Sequence, residues 1–597
     1  MPEQLDVVDA ARPTSPGSAD RASRHDADDE RRGRPARRRL LVTVIFVAAT
    51  LVMLRPDPSA LTTHIPANTG DPAFYIWVFL WGNHAAFTNP SHFFDANIFW
   101  PHASTLAYAD TVLPLIPVFG ILNAITGSWA LSLNLIAMGL VLLNLFATYA
   151  LARHITGRTD AAVLGALAFG FSAYVFSHWG QVQLQTLGLL PLALVLLLKL
   201  LDRPNAGLAV LLGLVSAAVA LAAVYDGASY LVAAVVIVLG HFALRRPRDA
   251  RLIGCLALTA VVAVVVMIPV LVAYLHVQSQ PGFRRPLDTS AGLHPSNLLA
   301  PAIGNYVWGP LGPSPATAGL ENRFFPGLVA TALAAVGAVV FVWRGRRPTA
   351  WSPATLSRPR RELSLLLLAG LASLVLAFGA DIGGIPGPFR LLHDDVPGYA
   401  GVRLETRFAL ITLLAVAILA SYGYAWLATR MRGSALRSAV AAGLGGLMLL
   451  ELATPVTWAQ LSSDQATLAP YQELAHRPPG AVVELPAVFG RPVWPYVDAP
   501  RMVYSSLDWH PRLSGYSAYV PPTLAADTQL MNTFPSAASL ARARQLGIRY
   551  VILHVGTENG APMLTPSQAQ AIISTLPPGT RATRTASSWL VDLGPSR

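Results

Sequence analysis

At 597 residues, with 53% apolar and only 13% charged residues, the chain departs from the balance of a soluble globular protein. Its formal charge of +11 does not point to nucleic acid, because the excess sits in an N-terminal tail and in short arginine-rich connections, where anionic lipid headgroups are the expected partner. A single cysteine, Cys255, excludes intrachain disulfides and any cysteine-built metal cage.

Residues 1–39 read as a disordered, Arg-rich cytoplasmic tail that ends in Arg37-Arg38-Arg39. The apolar run that follows, Leu40–Leu54, lacks a small-residue cleavage site and reads as a retained first span. Ten further apolar stretches approach the length needed to cross hydrocarbon: Ala130–Ala150, Asp160–Phe176, Leu187–Leu201, Gly207–Ala223, Ala228–Leu244, Leu252–Leu275, Phe324–Val342, Leu363–Phe378, Phe408–Leu427 and Leu436–Leu452. Residues 40–457 are therefore expected to form a polytopic α-helical membrane domain with about eleven transmembrane helices.

Counting from a cytoplasmic start, the arginine clusters of the even-numbered connections share one side. They are Arg153 and Arg158, Arg203, the Arg245–Arg251 group, the Arg344–Arg361 group, and Arg430, Arg432 and Arg437. The run Thr111–Thr126 is short and holds Pro114, Pro117 and Gly120. It reads as a re-entrant or interfacial helix, because a full crossing would invert every later cluster.

Between the first two spans lies a long external segment, Arg55–Trp129, too long for a plain connector. Within it Asp71–Phe87 places Phe74, Trp77, Val78 and Trp81 on one side, the pattern of a helix lying along the membrane surface. Asp71 has two readings, a helix cap before Pro72 or a catalytic carboxylate at the bilayer edge. Asp110, just before an apolar run, has the same two. Asp95 reads as a turn residue.

Further along, His178 with Gln181, Gln183 and Gln185 forms a polar external turn able to hydrogen-bond sugar hydroxyls or simply to be solvated. Tyr225-Asp226-Gly227 is either a tight turn or a second carboxylate facing a common pocket. The loop Gln278–Arg323, with Arg284, Arg285, His294 and Glu321, suits a gate over a bound ligand or an inert cover. At the end of another external loop, Arg403, Glu405 and Arg407 lead straight into a span. Two arginines four residues apart on the face where positive charge is disfavoured suit a phosphate, the alternative being a local ion pair with Glu405.

Beyond Thr457 the long apolar runs stop, and residues 458–597 read as a small extracytoplasmic α/β domain. Strands are expected at Ala481–Leu485, Arg501–Ser505, Ile548–His554 and Ser588–Leu593, with a helix at Ser536–Leu546. Trp509-His510-Pro511 and Tyr516-Ser517-Ala518-Tyr519 offer aromatic faces, read as core in preference to sugar-stacking surface. No phosphate-cradling GxxxxGK[ST], dinucleotide GxGxxG or HExxH signature occurs.

The segments Gly70-Asp71-Pro72 with Trp77 and Trp81, Phe94–Pro101, and Ser172-Ala173-Tyr174 followed by His178, Gln181 and Gln183 resemble those of bacterial members of the GT-C superfamily of membrane glycosyltransferases. The architecture, a long acidic first external loop and an external C-terminal domain, resembles that group as well. The resemblance implies transfer of a sugar from a polyprenyl-phosphate carrier to a glycan, lipid or protein acceptor at the outer face. For such a reaction the candidate catalytic residues are Asp71 and Asp110, and the candidate substrate-binding residues are Arg403, Arg407, Asp226, His178, Gln181, His294 and Glu405. A divalent cation, Mg or Mn, is the one cofactor implied. Many members carry an adjacent acidic pair in the first loop where this sequence has Asp71-Pro72, which leaves its ligands undefined. Two other classes compete: a flippase for a lipid-linked saccharide, and a non-catalytic envelope-assembly protein. The spans are mostly clean of mid-membrane ionisable groups, which favours the enzyme over the flippase.

Overall fold

The computed structural model describes residues 18–244, 249–280, 283, 287–288, 292–312, 319–345, 358–396, 399–402 and 404–595. The chain divides into two compact units, 1–52 and 53–597. Helix α1, Ser18–Leu54, covers the described residues of the first unit, so residues 18–39 are helical where an unstructured tail is expected. The segment is rich in Arg and Ala, residues that extend a helix at little conformational cost.

In the second unit α2 spans Asp71–Thr88, α3 Ile116–Thr126, α4 Trp129–Thr156, α5 Thr159–Gly170, α6 Ala173–Ser177, α7 Leu189–Asp202, α8 Ala206–Ala222, α9 Val224–Leu244 and α10 Ala250–Ser279. Four more helices follow at Leu328–Gly345, Arg358–Ala377, Ala409–Ala428 and Ser434–Leu452. Among the described residues, seven helical segments are long and apolar enough to cross a membrane: Trp129–Thr156, Thr159–Ser177, Val182–Asp202, Val224–Leu244, Ala250–Ser279, Glu405–Ala428 and Ser434–Leu452. Helix also covers the other four expected spans, in α1, α8, Leu328–Gly345 and Arg358–Ala377, but falls short of that length or apolarity. Leu113–Thr126 is likewise apolar and short, and α3 packs on α2 and α4.

Local chemistry sets the breaks. The Ser128 hydroxyl accepts from Leu131 N at 3.2 Å to start α4, and Gly157, at φ +70°, ends it. Asn205 and Asp249 cap α8 and α10 in the same way. Where helices cross closely, glycine makes room. A Cβ on Gly423 would stand 2.0 Å from the Leu333 carbonyl, and one on Gly337 2.3 Å from that of Leu419. Only 17% of the most apolar window of α10 is buried, as suits a helix facing lipid.

Helix α2 departs from the expected surface helix. From Pro72 to Phe79 every residue is buried, on both faces, between α3 and the Trp494–Tyr504 helix. The aromatic stripe that looked amphipathic is half of an all-round apolar surface.

The C-terminal part is built on a four-stranded sheet in the order Ala481–Leu485, Ile548–His554, Ser588–Asp592, Arg581–Arg584. The first pair is parallel and the others antiparallel. Three expected strands and the helix after Ser536 sit where the sequence places them. Arg501–Ser505 does not: Arg501 to Tyr504 end the helix Trp494–Tyr504, and Ser505 opens a 3-10 turn. Arg501–Ser505 holds only three apolar residues, too few to carry a period that separates strand from helix. The C-terminal part is not separate from the first loop. His64–Pro66 pairs antiparallel with Trp458–Gln460, Asn97 Nδ2 donates to Ser505 Oγ at 3.0 Å, and Trp100 Nε1 donates to the Leu546 carbonyl at 2.7 Å.

Candidate active site

Asp71 is the first helical residue of α2. The cap position falls to Gly70, which has no side chain to offer, so the capping reading of Asp71 does not hold. Its carboxylate turns to tertiary partners: the Tyr516 hydroxyl donates to Oδ1 at 2.7 Å, and the Gln181 side chain adds a second hydrogen bond. Tyr516 is held edge-on between Phe74, at 5.8 Å, and Trp494, at 5.2 Å between ring centroids. Burial raises the Asp71 carboxyl above its ordinary range, while the Tyr516 and Gln181 hydrogen bonds pull against that rise. The motif Tyr516–Tyr519, read from sequence as core, thus supplies a direct partner of the foremost candidate base.

Arg407 faces the same cavity. It lies in the short 3-10 turn Glu405–Phe408 that opens the Ala409–Ala428 helix. Its Nη2 donates to Glu321 Oε2 at 2.8 Å, and its guanidinium lies over the Tyr225 ring at 4.3 Å. The same Glu321 oxygen meets His178 Nε2 at 2.9 Å, while His178 Nδ1 faces the Tyr174 carbonyl at 2.9 Å. Burial alone would raise Glu321, but His178 and Arg407 outweigh it and hold the carboxyl well below the usual range. Sequence reasoning placed Glu321 in a gating loop and gave it no role, because a lone acid in a Pro- and Gly-rich loop has no periodic signal.

These groups enclose a cavity of about 170 Å³ lined by Asp71, Asp110, Gln181, Gln183, Glu321 and Arg407 together with Tyr75, Tyr225 and Tyr516. Beyond Asp71 it meets a larger cavity of about 530 Å³, walled by Trp179, Tyr496 and the 455–457 segment. Beyond Asp110 and Tyr225 it meets one of about 110 Å³ lined by Tyr108, Tyr274 and Tyr519. Asp71 and Asp110 therefore stand at the two ends of the central chamber.

Asp110 caps a helix, though not the one expected: Oδ1 accepts from Val224 N, at the start of α9, at 3.2 Å. Burial raises its carboxyl too. Tyr225-Asp226-Gly227 is not a tight turn, because Ala223 alone turns the chain between α8 and α9. Gly227 is needed for packing, since a Cβ there would lie 2.7 Å from that of Ala220. Asp226 is buried, and both its carboxylate oxygens lack a hydrogen-bond partner among the described residues. It does not line the chamber, but lies within Coulomb reach of Arg407 and Asp110.

Other expected site residues are placed elsewhere. His294 is exposed and caps the turn Pro295–Leu299 with Asn297, so it structures its loop. Glu405 is buried away from the chamber wall and makes no ion pair with Arg407, whose carboxylate partner is Glu321. Gln185 donates to the Val175 and His178 carbonyls and holds the turn together. Arg403, Arg284 and Arg285 lie outside the described residues.

No three His, Cys, Asp or Glu side chains among the described residues converge as a metal-ligand set. Asp71 is engaged by Tyr516 and Gln181, and Glu321 by His178 and Arg407. These described side chains alone do not define a ligand set for Mg or Mn.

No protein-family model matches this sequence, and no curated protein sequence matches it. Solved structures do. The arabinofuranosyltransferase AftD from Mycobacteria aligns over 93% of this chain and 41% of its own, at TM-score 0.57 and 14% identity. The archaeal oligosaccharyltransferase AglB from Archaeoglobus fulgidus, solved with an inhibitory peptide and a dolichol-phosphate, aligns over 86% of this chain and 69% of its own, at TM-score 0.49 and 12% identity. ArnT from Cupriavidus metallidurans, bound to undecaprenyl phosphate, aligns over 92% and 97%, at TM-score 0.36 and 17% identity. With AftD as the match that carries the comparison, this chain, whose described residues include seven helices long and apolar enough to cross a membrane, shares the fold of that arabinofuranosyltransferase.

Proposed function

We propose that this protein is an integral-membrane glycosyltransferase that moves a sugar from a polyprenyl-phosphate carrier to a cell-envelope glycan, lipid or protein acceptor at the outer face of the bacterial plasma membrane. The observation that carries this reading is the shared chamber, in which a desolvated carboxylate, Asp71, and a buried guanidinium, Arg407, face one space at the mouth of an apolar span. Asp71 takes the proton of the acceptor hydroxyl as its oxygen attacks the anomeric carbon. The bond from that carbon to the phosphate oxygen breaks with its electron pair, and the departing polyprenyl phosphate meets Arg407, which exchanges its Glu321 partner for the new anion. The Tyr-lined cavity beyond Asp110 suits the carrier side, and the larger, more polar one beyond Asp71 suits the acceptor.

An Asp71→Asn variant in membranes supplied with radiolabelled polyprenyl-phosphate sugar and acceptor extract is expected to lose about 10²- to 10⁴-fold in turnover, the usual worth of a general base. Unchanged turnover at equal expression removes Asp71 from the mechanism. A wild-type protein inactive with every donor tried removes the transferase reading altogether.

A further inference from the structure

The C-terminal part holds a second cavity, of about 300 Å³, that the proposed reaction does not use. Its rim carries Ser462, Asp464, Thr467, Thr557, Asn559 and Ser587 above a floor of charged groups. In that floor Arg501 donates to Glu558 at 2.9 Å, and His554 lies between two carboxylates, Nε2 to Glu484 at 2.8 Å and Nδ1 to Glu558. Glu484 also accepts from the Tyr471 hydroxyl at 2.8 Å and from Arg512 Nε at 3.0 Å. Buried ion pairs add little stability over apolar side chains of the same volume, and a network of them beside an open cavity is a candidate site.

Charge narrows what the site takes. Arg501 is only 4% exposed and faces Glu558, Glu484 and Asp498, so no unneutralised cation stands ready for a phosphate. Glu558, at 23%, is the most exposed member of its ion pairs and turns a carboxylate edge to the cavity. Burial alone would raise it, but Arg501 and His554 hold it down at about 2, so it remains an acceptor at neutral pH. Hydroxyl and amide groups around two carboxylates, Glu558 met by Arg501 and His554 and Asp464 met by the Ser462 and Thr467 hydroxyls, match a neutral polyol, whose hydroxyls donate and accept. The position matters as well. The Tyr496 carbonyl accepts from Asn559 Nδ2 at 2.8 Å on this side and from the Thr69 hydroxyl at 3.2 Å on the other, and Tyr496 lines the large cavity that ends at Asp71.

We infer that this cavity is an acceptor subsite, binding a neutral sugar unit of an oligosaccharide whose reacting end enters the chamber past Tyr496. The inference rests on the glycosyltransferase reading for its role, but binding is measurable without turnover. Saturation-transfer NMR on the full chain in nanodiscs, with short neutral pentofuranose and hexopyranose oligosaccharides as probes, is expected to show contact to at least one. Ser587→Trp fills the exposed rim without touching the ion network. It is expected to weaken binding by about tenfold or more and to raise the oligosaccharide KM with kcat unchanged. Asn559→Ala, a milder change at the opposite rim, should act in the same direction, and Asp71→Asn should still bind. Inorganic phosphate should leave the signal unaltered. The subsite is overturned if no oligosaccharide contacts the wild type, if contact survives Ser587→Trp, or if phosphate competes. Loss of turnover alone, with binding intact, touches only the transferase reading.

Discussion

Tyr516 and Asp71 are separated by most of the chain, yet one hydrogen bond of 2.7 Å joins them, and its removal has a signed consequence. The phenol stabilises the ionised carboxylate, so Tyr516→Phe lets burial raise the Asp71 pKa further. A base works above its pKa and fails as pH falls through it. The acidic limb of kcat/KM is therefore expected to lie above the usual carboxylate range in the wild type and to move to still higher pH in Tyr516→Phe. A pH–rate profile of both proteins measures this, and an unmoved limb shows that Asp71 is not the group that titrates.

Among the elements, Leu328–Gly345 crosses closely over Ala409–Ala428, the helix that carries Arg407 at its mouth. Gly423 there meets backbone, not a side chain that could swing aside. Gly423→Ala is expected to push the two helices apart at a cost of about 1–3 kcal/mol. Thermal unfolding in detergent should show the lower Tm, and donor binding should weaken with it, because Arg407 sits in the turn that feeds the displaced helix. A Tm equal to that of the wild type means the crossing has slack.

At the scale of the whole molecule, the first loop and the C-terminal part act as one body through Asn97. Its Oδ1 accepts from Trp77 Nε1 at 3.0 Å, and its Nδ2 donates to Ser505 Oγ at 3.0 Å. Asn97→Ala strands a buried indole N–H and is expected to cost about 1–3 kcal/mol. Since α2 supplies Asp71 and the C-terminal part supplies Tyr516, the same variant should loosen the Asp71 pair and lower transfer. Hydrogen exchange should show faster opening in both segments together, whereas opening confined to one would mean they are held by other contacts.

Apolar length, a property of neighbouring residues, placed a helix over every expected span, and the helix expected from Ser536 begins there with Ser536 as its cap. Three of the four C-terminal strands were legible for the same reason. What the chain could not display in one dimension is who meets whom. Glu321 as the partner of Arg407, Tyr516 as the partner of Asp71, and Asp110 as the cap of α9 join residues far apart in sequence, and no periodicity encodes such pairs. The helical fate of Arg501 was hidden likewise, because two of the carboxylates that neutralise it arrive from strands distant in sequence, Ala481–Leu485 and Thr557–Glu558. Local patterning settles which segments are helix, while burial and charge pairing, which exist only once the chain has closed on itself, settle which side chains form the chamber.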